Sequence, residues 1–262
     1  DGFTVQDGFA DGAGEARMGG GMYRSGAHPV AANCIFSNNF AIGPNSGGSG
    51  GGGAYWYQGT YTTVTVGWYN CVFDGNMASN STTSASSRGG GLYVKALTNF
   101  IGSISNCIFR NNIANGTYVS GAGLALEDAG ARVWPAGEKL TIIDCLFSNN
   151  VVRGASGYGG GLHMVGFVAP TLLTNGLFVQ NEIKGGDNST GGGAVYLSVS
   201  ASGQGPQVYT CTFLENRSSY FTGGAVQMAT GGGTNALWRD CVFMNNYASN
   251  HGGAVHGVIG GT

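Results

Sequence analysis

Apolar and polar positions alternate in twos along this chain, in short stretches set between glycines and asparagines. Behind the glycine clusters the apolar residues stand two apart, as in Leu92/Val94, Leu124/Leu126, Leu162/Met164, Val195/Leu197 and Val226/Met228. Cys and Phe keep the same spacing in Cys34/Phe36, Cys71/Phe73, Cys107/Phe109, Cys145/Phe147, Cys211/Phe213 and Cys241/Phe243. A period of two puts such residues on one face of a strand, whereas a helix needs a period near 3.6. Both stretches are therefore predicted to be strands.

The strands recur in a fixed order. Glycine clusters begin at Gly19, Gly51, Gly89, Gly121, Gly159, Gly192, Gly223 and Gly252, 29 to 38 residues apart. Between them stands Phe-x-x-Asn, starting at Phe36, Phe73, Phe109, Phe147, Phe178, Phe213 and Phe243. This spacing is that of a solenoid, and two or three short strands per unit argue against helical repeats and propeller blades. The expected fold is all-β, a right-handed parallel β-helix of about eight coils and about 38 Å length at ~4.8 Å per coil, with residues 1–262 forming a single β-helix domain. Glycine would take the corner conformation that other residues resist. Asn39, Asn76, Asn112, Asn150, Asn181, Asn216 and Asn246 would stack at a second corner, each tolerating a left-handed backbone and bonding the amides above and below.

Composition narrows the class. Gly is 51 of 262 residues, Pro only 5 and charged residues 9%, while hydrophobic residues are 42%. These values exclude a collagen, a solvated disordered chain and a conventional helical protein. Lys and Arg number 11 against 13 Asp and Glu, a net charge of −2, with no run of either sign. Nucleic acid is not an expected partner. No apolar stretch approaches the ~20 residues of a membrane-spanning helix.

The interleaved GGA(I/L/V) and FxxN motifs resemble those of chlamydial polymorphic outer membrane proteins and related surface-anchored β-helix proteins, most closely in GGAV at Gly192, Gly223 and Gly252. The opening DGFTVQDG, Asp1 to Gly8, is similar to the first coil of extracellular pectate-lyase-like β-helices. The resemblance implies a secreted or surface-displayed β-helix with an adhesive or structural role. It departs from the family in reading GGG in most units.

Candidate chemistry is sparse. Cys34, Cys71, Cys107, Cys145, Cys211 and Cys241 share one slot of the repeat, interrupted where Gly176 stands. They form either a buried column of thiols or vertical disulfides such as Cys34–Cys71 and Cys211–Cys241; stacked neighbours would lie ~4.8 Å apart, more than the ~3.8 Å between bridged Cβ atoms. Outward positions beside the aliphatics make a second column, Tyr23, Tyr55, Tyr93, Ala125, His163, Tyr196, Gln227 and His256. Its tyrosines, Tyr23, Tyr55, Tyr93 and Tyr196, read either as strand formers stacking on their own kind or as an exposed ledge for glycans.

Asp144 and Asp240, in the slot before Cys, are separated by two coils, ~14 Å, too far for a glycosidase pair. Glu127, Asp128, Arg132 and Glu138 make the one dense charged stretch, which reads as a solvated insertion. No catalytic or metal-binding set is assigned, and the chain is expected to be a non-enzyme without a cofactor. Sequons at Asn80, Asn115 and Asn188 are glycosylation candidates on one side of the rod; the sequon at Asn216 falls on a ladder position and is expected bare.

The head of the chain, with Phe3, Val5 and Gln6 near the Asn place, and the tail, with Val255 and Val258, would form complementary uncovered edges. The expected role is thus an extracellular or cell-surface structural element whose copies stack head to tail into a fibre, with a glycan-binding adhesin as the alternative and a polysaccharide lyase or hydrolase ranked behind both. A window cut from a longer chain would present the same ends.

Overall fold

A computed structural model describes residues 1–12, 17–26, 30–43, 48–58, 64–81, 85–96, 100–128, 139–167, 171–185, 191–199, 205–219, 222–229 and 236–257. Every strand pairing among them is parallel, and no α-helix occurs among the described residues. The chain is a β-solenoid. Each strand hydrogen-bonds to its counterpart one repeat away, as in Phe36 opposite Phe73 and Phe73 opposite Phe109.

Four sheets run along the solenoid, against the two or three strands per coil expected from the sequence. The phenylalanine sheet has eight strands, from Thr4–Gln6 to Val242–Met244, and the glycine sheet eight, from Met22–Ser25 to Val255–His256. A third sheet follows the ladder asparagines, as in Phe40–Gly43 and Ile113–Ser120. The fourth leads into the Cys slot through strands such as Val64–Tyr69, Phe100–Ser105 and Leu140–Ile143. Apolar residues also stand on its outward face, as at Ile101, Ile143 and Leu172, and Gly102 stands on the inward one, which blurs the alternation.

Inside, identical residues lie over one another. The rings of Phe36, Phe73, Phe109, Phe147, Phe178, Phe213 and Phe243 form a column with successive centroids 4.7–5.0 Å apart and planes within 9° of parallel. The column packs against Trp68, Ile104, Ile142 and Val208 from the fourth sheet and the aliphatics of the glycine sheet. Stacking of this kind adds about 0.5–1.5 kcal/mol per ring pair beyond area burial.

The glycine corner is sterically obligatory. Gly89 has φ +60°, and a Cβ there would lie 2.3 Å from the Leu92 carbonyl oxygen. At its neighbour Gly90 a Cβ would lie 2.4 Å from the Ile113 oxygen, because the adjacent backbone passes directly over it.

At the asparagine corner the expectation needs correcting. The left-handed residue is the one before the ladder asparagine: Asn38, Asn111, Asn149, Gln180, Glu215 and Asn245, with φ between 53° and 56°, and Gly75 at 66°. The ladder asparagine itself turns inward and is fully buried from Asn39 to Asn216. Its Nδ2 donates to the next Oδ1, at 2.9–3.0 Å along the whole series from Asn39 to Asn246. The same Nδ2 donates back to the preceding coil, as from Asn76 to the Phe36 carbonyl oxygen. At the head, Val5 pairs with Phe36, which places Gly8 rather than Gln6 at the Asn position. The Gly8 amide donates to Asn39 Oδ1 at 2.9 Å.

Candidate functional site

The column predicted to face outward is in register as read, Tyr23, Tyr55, Tyr93, Ala125, His163, Tyr196, Gln227 and His256 lying on successive strands. It is not an exposed ledge, however. Tyr55 is 6% exposed, Tyr93 3% and His163 6%; only Tyr23, at 36%, is open. The cover comes from the strand that precedes each glycine corner. Ser86–Arg88 pairs with Ser49–Gly50 on one side and with Tyr118–Ser120 on the other, and that ladder continues to Ser156–Tyr158. The sharp left-handed turn at the corner glycine folds this ladder back over the outer face of the glycine sheet. Gly50 is small for this reason: a Cβ there would sit 2.4 Å from the Tyr93 ring.

Between ladder and sheet a cleft of about 290 Å³ remains, lined by Arg88, Tyr118, Ser120, Glu127, Tyr158, His163 and Tyr196 with Val119 and Val165. One wall carries Arg88, Ser120 and Tyr158 in register, each the residue immediately before a corner glycine. On the facing wall a ring is missing at Ala125, between Tyr93 and His163. The His163 and Tyr196 rings stack, centroids 5.4 Å apart at 21°, and Tyr158 meets Tyr196 edge-on at 4.8 Å.

Burial, and then the positive charge of Arg88, push the His163 imidazole down to about 3, so it is neutral at physiological pH. Its Nδ1 is buried without a hydrogen-bond partner. Glu127 does not belong to a solvated insertion. It accepts a hydrogen bond from the Tyr93 hydroxyl and pairs with Arg88 at 3.5 Å and Lys95 at 3.7 Å. Arg132 and Glu138 lie outside the described residues, as do Asn188 and Val258. Burial raises the Tyr93 and Tyr196 hydroxyls above the ordinary phenol range. The cleft thus offers aromatic faces, a guanidinium and phenol groups, while the unpartnered His163 Nδ1 lies beneath its surface. Its lining holds one carboxylate, already engaged, where glycoside hydrolysis uses two. Among the described residues no group of three or more His, Cys, Asp or Glu is placed to hold a metal ion.

The remaining candidates fall elsewhere. All six cysteines are free thiols inside or beside the core. Each Sγ donates to the carbonyl two residues back, as Cys107 does to Ser105 at 3.3 Å, and from Cys71 onward also to a carbonyl of the preceding coil, as Cys107 does to Trp68 at 3.4 Å. Asp144 belongs to a left-handed corner column and accepts from Asn175 Nδ2 at 2.6 Å; Asp240 sits in the same column with φ 54°. The column orders the backbone. Of the sequons, Asn115 is exposed, with Nδ2 on Ser79 Oγ at 3.1 Å. Asn80 is 4% exposed, a correction to its place among glycosylation candidates, because a buried side chain leaves no room for a glycan. Asn216 is a buried ladder residue.

At the head, Phe3 is 40% exposed and meets Phe36 edge-on; Val5 is half-buried. At the tail, Val255 is half-buried opposite Val226. An aliphatic stripe not anticipated above runs along the outer face of the phenylalanine sheet, where Ile35, Val72, Ile108, Leu146 and Leu177 follow one another in register; its signal is the aliphatic residue standing between the Cys slot and Phe in each of these repeats.

No curated protein and no solved structure matches the chain. Residues 240–258 match the Chlamydia polymorphic membrane protein (Chlamydia_PMP) repeat. That stretch runs from the left-handed Asp240 through Phe243, Asn246 and the GGAV at Gly252, and not through the opening Asp1 to Gly8. Through this one repeat the chain is similar to a family of outer-membrane, surface-associated proteins.

Proposed function

We propose that this protein is a surface-displayed β-helix that binds glycans in the lateral cleft around His163. The observation that carries the reading is a ligand-sized cleft walled by the Tyr158, His163 and Tyr196 rings, with His163 stacked on Tyr196 and Arg88 and Ser120 on the facing ladder. Tyrosine suits saccharides because its face is apolar and its edge polar. The stacked coils hold these groups on strands rather than loops, which keeps the geometry fixed. The repeat at residues 240–258 supports display at a surface.

A glycan array with the unmodified protein, Tyr196→Ala and Tyr23→Ala tests this. Binding lost in Tyr196→Ala and kept in Tyr23→Ala is the expected pattern. Equal retention in both variants contradicts it.

Stacking of copies end to end is the second reading. Core residues left half-covered at the outer rungs favour it: Val5 and Met22 at one end, Trp238, Phe243 and Val255 at the other. A direct junction is imperfect, because Asn246 of one copy would meet Gly8 of the next, where no side-chain oxygen accepts its amide. Sedimentation velocity at rising concentration tests it: growing rods support stacking, and a constant monomer excludes it.

A further inference from the structure

The cleft lining carries one cation, Arg88, and one carboxylate, Glu127, and Glu127 is shared with a second cation, Lys95, that lies outside the lining. The described contacts of Arg88 are Nη1 to Ser86 Oγ at 3.0 Å and Nε to Glu127 Oε2 at 3.5 Å, while a guanidinium carries five N–H donors in a planar fork. That fork is suited to a carboxylate. Both Glu127 oxygens already have partners, Tyr93 and Arg88 on Oε2 and Lys95 on Oε1, so Glu127 is poorly placed to serve as the main acceptor for ligand hydroxyls.

We propose that the cleft takes a saccharide residue bearing a carboxylate, with its acidic group at Arg88 and a ring face against Tyr158 and Tyr196. The inference rests on the glycan-binding reading above and narrows it. A cleft of about 290 Å³ is at the small end of ligand sites, sized for one or two sugar rings rather than a long chain. Charge-assisted bonds are about twice as strong as neutral ones, so the carboxylate decides the preference.

The test uses two probes that differ only at C6, methyl β-glucuronide and methyl β-glucoside, titrated and followed by ligand-observed NMR. The glucuronide is expected to bind at least about tenfold more tightly, with the advantage lost in Arg88→Gln and kept in part in Arg88→Lys. Thermal melts of both variants check that the coil is intact, and the two unmodified-protein titrations stand even if a variant does not fold. Equal or tighter binding of the glucoside overturns the acidic-sugar inference and leaves glycan binding standing. Binding of neither overturns both. A second pair, a hyaluronan tetrasaccharide and 3′-sialyllactose, then separates a glycosaminoglycan source from a sialylated one, and failure of both to outcompete lactose counts against a carboxylated sugar.

Discussion

Asn112 donates its side-chain N–H to Asn150 Oδ1 at 3.0 Å, and its backbone N–H reaches the same oxygen at 3.2 Å. One carbonyl oxygen thus satisfies two buried donors of the neighbouring coil. Asn150→Ala leaves both unpaired and also frees the Phe109 carbonyl that Asn150 Nδ2 serves. The expected loss is about 3 kcal/mol or more, from two orphaned donors at ~1–3 kcal/mol each. Asn115→Ala, on the exposed side of the next strand, should cost under about 0.5 kcal/mol. Urea unfolding of the two variants checks the contrast.

Neighbouring glycines should differ sharply. A Cβ at Gly160 would lie 2.2 Å from the Gly193 carbonyl oxygen and 2.9 Å from the Glu182 nitrogen, both backbone atoms. At Gly161 the nearest atom, the Ala194 oxygen, is 3.0 Å away, and Ala194, Ala225 and Ala254 occupy the same position in later coils. Gly161→Ala should therefore be tolerated within about 1 kcal/mol, while Gly160→Ala should cost about 3 kcal/mol or prevent folding. Thermal melts measured side by side decide this.

The thiol column should be inert in the folded state except at its last member. A side-chain hydrogen bond with Cys145, together with burial, pushes Cys107 up to about 12, and contact with neighbouring thiols and burial also raise Cys71 and Cys211. Cys241 is half-buried and is held below the ordinary thiol range by its hydrogen bond with Cys211. Since the thiolate is the reactive form, brief iodoacetamide treatment followed by peptide mapping should label Cys241 first. Uniform labelling of all six would contradict the packing described here.

Acid should weaken the fold through His163. Its folded value, about 3, lies below the ordinary 6.5, so at neutral pH both folded and unfolded forms are neutral and nothing is lost. As pH falls below 6.5 the unfolded chain takes up the proton first, and stability declines until the folded value is reached. Between pH 6.5 and 5 this amounts to about 1.5 kcal/mol. His163→Gln should lack that share of the acid loss. Urea midpoints of the two proteins across this window give the difference directly, and parallel curves would contradict a buried neutral imidazole.

The solenoid was legible because its constraints repeat. Phe-x-x-Asn and the glycine pair return in phase, and a column such as Phe36 to Phe243 or Asn39 to Asn246 can be counted off the chain without knowing any contact. The cleft was not legible in the same way. Register told correctly that Tyr93, His163 and Tyr196 share a column, but not that the strand before each glycine folds back over it. That depends on a turn angle set by Gly89, Gly121 and Gly159, whose φ values are 60°, 55° and 57°. Arg88 and Tyr158 did carry a signal, since each directly precedes a corner glycine, yet only the folded corner brings them opposite Glu127 and His163. The left-handed residue was misplaced by one for a similar reason: asparagine tolerates that conformation, and in FSNN and FRNN two asparagines compete for it. The outer one takes the turn because the inner one is needed for the buried ladder.

The cleft around His163 is the centre of the functional account, and the imidazole itself is its best reporter. The chain has four histidines, so the ring resonances of a ¹³C-histidine-labelled sample can be assigned by single substitutions. Adding methyl β-glucuronide should shift the His163 ring signal while leaving His251 and His256, in the terminal glycine-sheet coil, unmoved. A response at His251 or His256 with none at His163 would contradict the account and move the binding surface to the end of the solenoid.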